Sequence, residues 1–171
     1  MISTYSTLDR GSTNFRIRRN ALIAAMYTGG MSIVVAIFCG WRLVVNARQK
    51  DALQDVYWGV QISYLANLGC QLASVFFSTI LLAAVNKENA PMIVPWVVGT
   101  IAFLAMEAVG TVYSNVLRDH VNHEFDTLCK VEGGFLIFRG ALNCVALHCV
   151  LRVYRALKTG VRFGGPEQVE L

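Results

Sequence analysis

An all-α integral membrane bundle of four antiparallel helices is the fold class this sequence predicts, and three observations carry it. Four long apolar runs, 21–45, 57–85, 92–117 and 133–151, cover more than half of the 171 residues. A helix rises ~1.5 Å per residue and the bilayer core is roughly 30 Å thick, so about 20 apolar residues span it. The composition is 55% hydrophobic with a mean hydropathy of +0.49, more apolar surface than a soluble chain of this length encloses. Polar residues inside the runs recur at steps of three and four, the spacing of one helix face.

Residues 1–20 are polar and carry Arg10, Arg16, Arg18 and Arg19, which marks a cytoplasmic tail. The first span, 21–45, is about twice the length of a signal-peptide core, so it is expected to remain as an anchor with no cleavable leader. Along it Gly29, Ser32, Ala36 and Cys39 form a smooth stripe for a neighbouring helix, and Arg42 near its outer end snorkels. In the second span, 57–85, Tyr64, Asn67, Gln71, Ser74 and Ser78 make the clearest periodic signal in the chain. Such a stripe is either interhelical glue, each bond contributing on the order of 0.6 kcal/mol, or the wall of a solute path. The third span, 92–117, presents Thr100, Glu107, Thr111 and Ser114 on one face with Gly99 and Gly110 nearby. The fourth, 133–151, presents Arg139, Gly140 and Asn143, and the segment 158–171, with Lys158 and Arg162, follows it as a second cytoplasmic tail.

Basic residues are unequal on the two sides that four spans create. Arg10, Arg16, Arg18, Arg19, Lys87, Arg152, Arg155, Lys158 and Arg162 make nine on one side, against Arg48, Lys50, Arg118 and Lys130 in the loops of the other. Those loops, 46–56 and 118–132, also hold the acids Asp51, Asp55, Asp119, Glu124, Asp126 and Glu132. Both termini are therefore expected in the cytoplasm and both larger loops outside or in a lumen. The net charge of +4 is a topology signal; no soluble basic domain offers a nucleic-acid footprint.

Of five cysteines only Cys129 falls in an outward loop, so no loop disulfide is expected, unlike tetraspanins and claudins. No Asn-x-Ser/Thr sequon occurs. Enzyme signatures such as HExxH, CxxC or a glycine-rich phosphate loop are missing, so the chain is expected to be non-enzymatic, with no cofactor and no metal. His120, His123 and Cys129 have irregular spacing and suit an ordinary polar loop better than a metal site. Cys144 and Cys149 suit packing better than redox chemistry.

Glu107 and Arg139 need a physical account, because a central charge costs roughly 2.5–3.5 kcal/mol to insert and normally finds a partner. Glu107 lies ten residues from the outer end of its span and Arg139 six from the start of its own, about 15 Å and about 9 Å deep. That mismatch of about 6 Å is within reach of an arginine, so the two are expected to form a buried ion pair that sets helix register. The alternatives are a proton or cation site at Glu107, or no pairing, with Arg139 snorkelling and Glu107 protonated. His148 points away from Arg139 around the fourth helix.

The end of the chain, Val169, Glu170 and Leu171, fits the carboxylate motif that adds as a strand to a PDZ groove, on the flexible lead Gly164-Gly165-Pro166. Tyr5-Ser6-Thr7-Leu8 fits a tyrosine sorting signal. The short inner loop Asn86-Lys87-Glu88-Asn89-Ala90-Pro91 runs straight into Met92-Ile93-Val94-Pro95-Trp96, and the last span leaves through Val150-Leu151-Arg152-Val153-Tyr154. In these features, from about residue 20 to 157, the chain resembles a family of small arthropod four-span proteins that includes the Pasiflora proteins of septate junctions. The resemblance implies a structural or trafficking component of the plasma-membrane lateral junction that supports the epithelial and glial paracellular barrier. Its partners would be membrane lipid, other junctional membrane proteins, a PDZ scaffold or further copies of itself. Snakeskin-like junction proteins imply the same work. The tyrosine signal gives the alternative of an endolysosomal sorting adaptor with an endosomal pool, although no Pro-Pro-x-Tyr motif accompanies it. A small-solute or proton transporter is the third reading.

Overall fold

A computed structural model of the chain describes residues 2–48, 54–122 and 127–163. It has four helices: α1 Ile2–Arg48, α2 Gln54–Asn86, α3 Val94–Asn122 and α4 Thr127–Lys158. All four contain stretches long and apolar enough to cross a membrane. They run alternately up and down at the corners of a square, α1 and α3 each packed against both α2 and α4. Helix pairs joined by short connections must be antiparallel neighbours, and the closing α1–α4 contact completes the bundle.

One end of the bundle, the terminal end, holds the Arg18 turn of α1, the α2–α3 turn and the end of α4. Helix α2 stops where Lys87 and Asn89 donate their N–H groups back to the carbonyls of Ala83 and Ala84, at 2.9 and 3.0 Å. Between them Glu88 adopts a left-handed φ of 53°, a conformation that disfavours any residue with a Cβ. Its carboxylate accepts the backbone N–H of Phe163 at 2.8 Å, tying the exit from α4 to this turn. Pro91 then opens a 3-10 turn, Ala90–Ile93, that leads directly into α3. Proline fits there because the first turn of a helix needs no N–H donor. Across the same end Arg18 of α1 donates to Asn86 of α2 at 3.5 Å.

Polarity is distributed inside out. Glu107 and Arg139 are only 6% and 4% exposed, whereas Ile37 and Ile137 are 68% and 75% exposed. Large apolar side chains cover the outer faces of all four helices, while Ser, Thr, Asn and Gln join the ion pair within. A folded chain in water shows the opposite arrangement. The interior has three levels. At the terminal end Leu81, Val85, Ile93, Trp96, Val150 and Val153 form a dry cluster with small alanines. At the other end, the loop end, Val35, Cys39, Val60 and Tyr64 form a smaller one. The polar groups lie between and beside them.

Two contacts show how the helices approach. A Cβ added at Gly29 would lie 3.3 Å from the Cβ of Ser78, so α1 and α2 meet with almost no side chain between them. At Gly110 an added Cβ would lie 2.9 Å from the Asn67 amide, and the Gly110 carbonyl accepts the Ser63 hydroxyl at 2.7 Å. Small residues and backbone carbonyls are thus the surfaces through which α3 reaches α2.

Three expectations need correction. The helices extend past the apolar runs: α1 continues back through the basic segment to Ile2, and α4 begins at Thr127 rather than near residue 133. Glu132 therefore belongs to a helix and not to an outward loop. Cys129, expected in that loop, is instead buried in the first turn of α4, where its carbonyl accepts Asn115 Nδ2 at 3.5 Å. Arg42 does not simply snorkel, because its guanidinium carbon sits 5.7 Å from the centre of the Tyr64 ring.

Candidate functional site

One residue from each helix builds the central polar level: Ser32 of α1, Gln71 of α2, Glu107 of α3 and Arg139 of α4. Arg139 Nη1 donates to Glu107 Oε1 at 2.5 Å. Its Nη2 donates to Gln71 Oε1 at 2.7 Å and to Ser32 Oγ at 3.3 Å. The Gln71 amide turns its other end to Glu107, Nε2 donating to Oε2 at 3.2 Å. Gln71 is thus an amide bridge, acceptor to the cation and donor to the anion, a role that needs both halves of its side chain. Ser32 passes its own proton to Ser74 Oγ at 3.0 Å, and one level nearer the termini Thr28 and Ser78 hydroxyls meet at 3.0 Å.

The cluster is electrically neutral and both carboxylate oxygens of Glu107 are occupied. Arg139 Nε has no protein partner. A void of about 10 Å³ adjoins the cluster, lined by Thr28, Gln71, Ser74, Thr100 and Asn143 together with the ion pair itself. That is the smallest space able to hold one bridging water.

Toward the loop end lies a second ion pair, between Arg118 of α3 and Glu132 of α4. Arg118 Nη2 also donates to Asn115 Oδ1 at 2.6 Å, and Tyr64 donates its hydroxyl proton to Glu132 Oε1 at 2.8 Å. This pair escaped the sequence reading because both residues were counted as loop charges. The signal was present: Glu107, Thr111, Ser114 and Arg118 continue one face of α3 at steps of four, three and four, and Glu132 stands seven before Arg139 on α4.

Between the two ion pairs is a cavity of about 270 Å³. Tyr64, Asn67, Thr111 and Ser114 line it on α2 and α3, Val34 and Phe38 on α1, Val131 and Phe135 on α4. Glu107 closes it at the central level and Glu132 at the outer one.

The stripe residues Tyr64, Gln71, Ser74 and Ser78 all bond to another helix through their side chains. Asn67 is different, since its amide packs on Gly110, faces the cavity and makes no hydrogen bond among the described residues. His148 is exposed on α4, away from the cluster. His120 is exposed and Cys129 buried, while His123 lies outside the described residues. So do Val169, Glu170 and Leu171, and the side chains of Tyr5–Leu8.

A family model described as "Domain of unknown function (DUF4728)" matches residues 66–158, which include Asn67, Gln71, Glu107, Arg118, Glu132 and Arg139. Neither a protein of curated function nor a solved structure matches the chain.

Proposed function

This chain belongs to the family described as a domain of unknown function, DUF4728, and we propose that it serves as a non-enzymatic, membrane-inserted four-span component of a lateral cell junction. The observation that carries the structural role is the central cluster. Its two charges and its amide are engaged with one another across four helices, so the groups able to do chemistry instead lock the bundle. Breaking such a buried pair costs about 3–5 kcal/mol, and the pair fixes the register of the helices that carry it. The apolar cluster around Trp96 and Leu81 supports the same reading, because it packs the terminal end with buried hydrophobic side chains.

Insertion is supported by the inside-out polarity, and cytoplasmic termini by the nine-to-four division of basic residues. The junctional placement rests on the resemblance in the inner loop and the exit of the last span. A helical bundle with an apolar outer surface offers broad faces to other membrane proteins or to a second copy. Imaging the tagged protein in a polarised epithelium, with dye passage measured after depletion, tests the proposal. Lateral enrichment and a leaking barrier are expected. Endosomal puncta with a tight barrier would instead favour a sorting adaptor, and flux into protein-loaded liposomes would favour a transporter.

A further inference from the structure

The cavity at the loop end has no part in the structural role proposed above, and its walls divide by chemistry. The deep side, on α2 and α3, carries the Asn67 amide and the Thr111 and Tyr64 hydroxyls. The shallow side, on α1 and α4, is apolar apart from Glu132 at its outer end, and there Val34 and Val131 are more than half exposed on the outer surface. The mouth therefore lies on the flank of the bundle, between α1 and α4.

Three observations define what fits. Asn67 is only 7% exposed and faces the cavity, yet neither end of its amide has a protein partner among the described residues. Its amide atoms are open to the cavity, so an occupant that both donates and accepts would bond them. The walls carry no net charge, because Glu107 is held by Arg139 and Glu132 by Arg118. A phosphate would meet two carboxylates there, and an ammonium would have to compete with two guanidinium groups already in place. The volume of about 270 Å³ is far larger than the roughly 10–15 Å³ that a single water needs. Water alone is a poor occupant, since Val35, Phe38, Phe135 and Leu136 offer it no hydrogen bonds.

We propose that this cavity binds a membrane lipid with a small uncharged hydroxyl head, entering between α1 and α4, its hydroxyl bonded to Asn67 and Thr111. A sterol and a diacylglycerol share that chemistry. The hydrocarbon lies along Val34, Phe38, Val131 and Phe135 and continues into the bilayer. The site rests on the membrane-inserted reading of the bundle and is independent of the junctional one.

Full-length protein in phospholipid vesicles, irradiated with a photoactivatable sterol or a photoactivatable diacylglycerol, tests the site. Saturable labelling is expected with one of the two probes, competed by its unlabelled parent lipid and mapped to α1 and α4 beside the mouth; which probe labels identifies the source. Val131→Trp, at an exposed position, should remove saturable labelling without changing the melting temperature. Asn67→Ala should weaken competition by about fivefold to tenfold, the loss of one or two neutral hydrogen bonds. Labelling that does not saturate, persists in Val131→Trp, or maps to outer positions such as Ile37 and Ile137 overturns the site. Flotation and carbonate resistance are measured on the same vesicles. Protein that fails them overturns the membrane reading itself, whereas inserted protein without saturable labelling overturns the lipid site alone.

Discussion

Arg139 shows how a charge becomes tolerable in an apolar bundle. Two of its nitrogens reach three acceptors on three different helices, so no single contact carries the cation. Replacing Glu107 by Gln would leave that guanidinium buried with neutral partners only. A destabilisation of about 3–5 kcal/mol is expected, lessened by whatever snorkelling Arg139 achieves. The fraction of monodisperse protein surviving heat in detergent measures it. The double variant Glu107→Gln, Arg139→Met should be milder than Glu107→Gln alone, since it removes the unpaired charge as well. Simply additive losses would mean that the two side chains are not coupled. A Glu107→Gln protein that folds normally but leaves the barrier open would assign the carboxylate a role beyond packing.

Among the elements, α2 is the organiser, and its part was largely legible in the sequence. The steps from Tyr64 to Ser78 give one polar face in an otherwise apolar run, and through it α2 donates to α3 and α4 and accepts from α1. Glu107 and Arg139 were legible for a related reason, because insertion cost makes an isolated central charge conspicuous and helix rise converts position into depth. The Arg118–Glu132 pair was not. Hydropathy ends a span at the first charges, but a helix ends only where its backbone bonds end, and here the two charges satisfy each other and let α3 and α4 continue. Burial of Cys129 follows from that same extension, and the stacking of Arg42 on Tyr64 requires a neighbour that no local pattern reveals. The glycines give a contrast to measure. Gly110→Val places a side chain where the Asn67 amide and Ser63 hydroxyl already sit, so it should separate α3 from α2 and destabilise by about 1–3 kcal/mol. Gly140 has nothing within 4 Å of an added Cβ. Gly140→Ala should therefore be neutral or stabilising by up to about 1 kcal/mol, through helix propensity alone. Thermal unfolding of both variants in the same detergent decides it, and equal losses would mean that close approach at Gly110 is not what holds α3.

At the scale of the whole molecule, the bundle decides which residues share a side before any membrane does. The Arg18–Asn86 and Glu88–Phe163 contacts place the Arg18 turn of α1, the middle turn and the end of α4 together. The remaining choice is which end faces the cytoplasm, and the structure sharpens the charge argument for it. Arg118 is paired with Glu132 inside the bundle, so it no longer counts as a loop charge, and the sequence then sets Arg48, Lys50 and Lys130 on that side against nine basic residues on the other. Lys130 is exposed and adjoins the buried Cys129. An impermeant maleimide applied to intact cells should therefore leave the wild type unlabelled and label Lys130→Cys. At the opposite end Thr159→Cys, also at an exposed position, should react only after permeabilisation. The reverse order of reactivity would invert the topology while leaving the bundle unchanged. Labelling of the wild type in intact cells would expose Cys129 itself, and the start of α4 would then not be docked beneath Asn115.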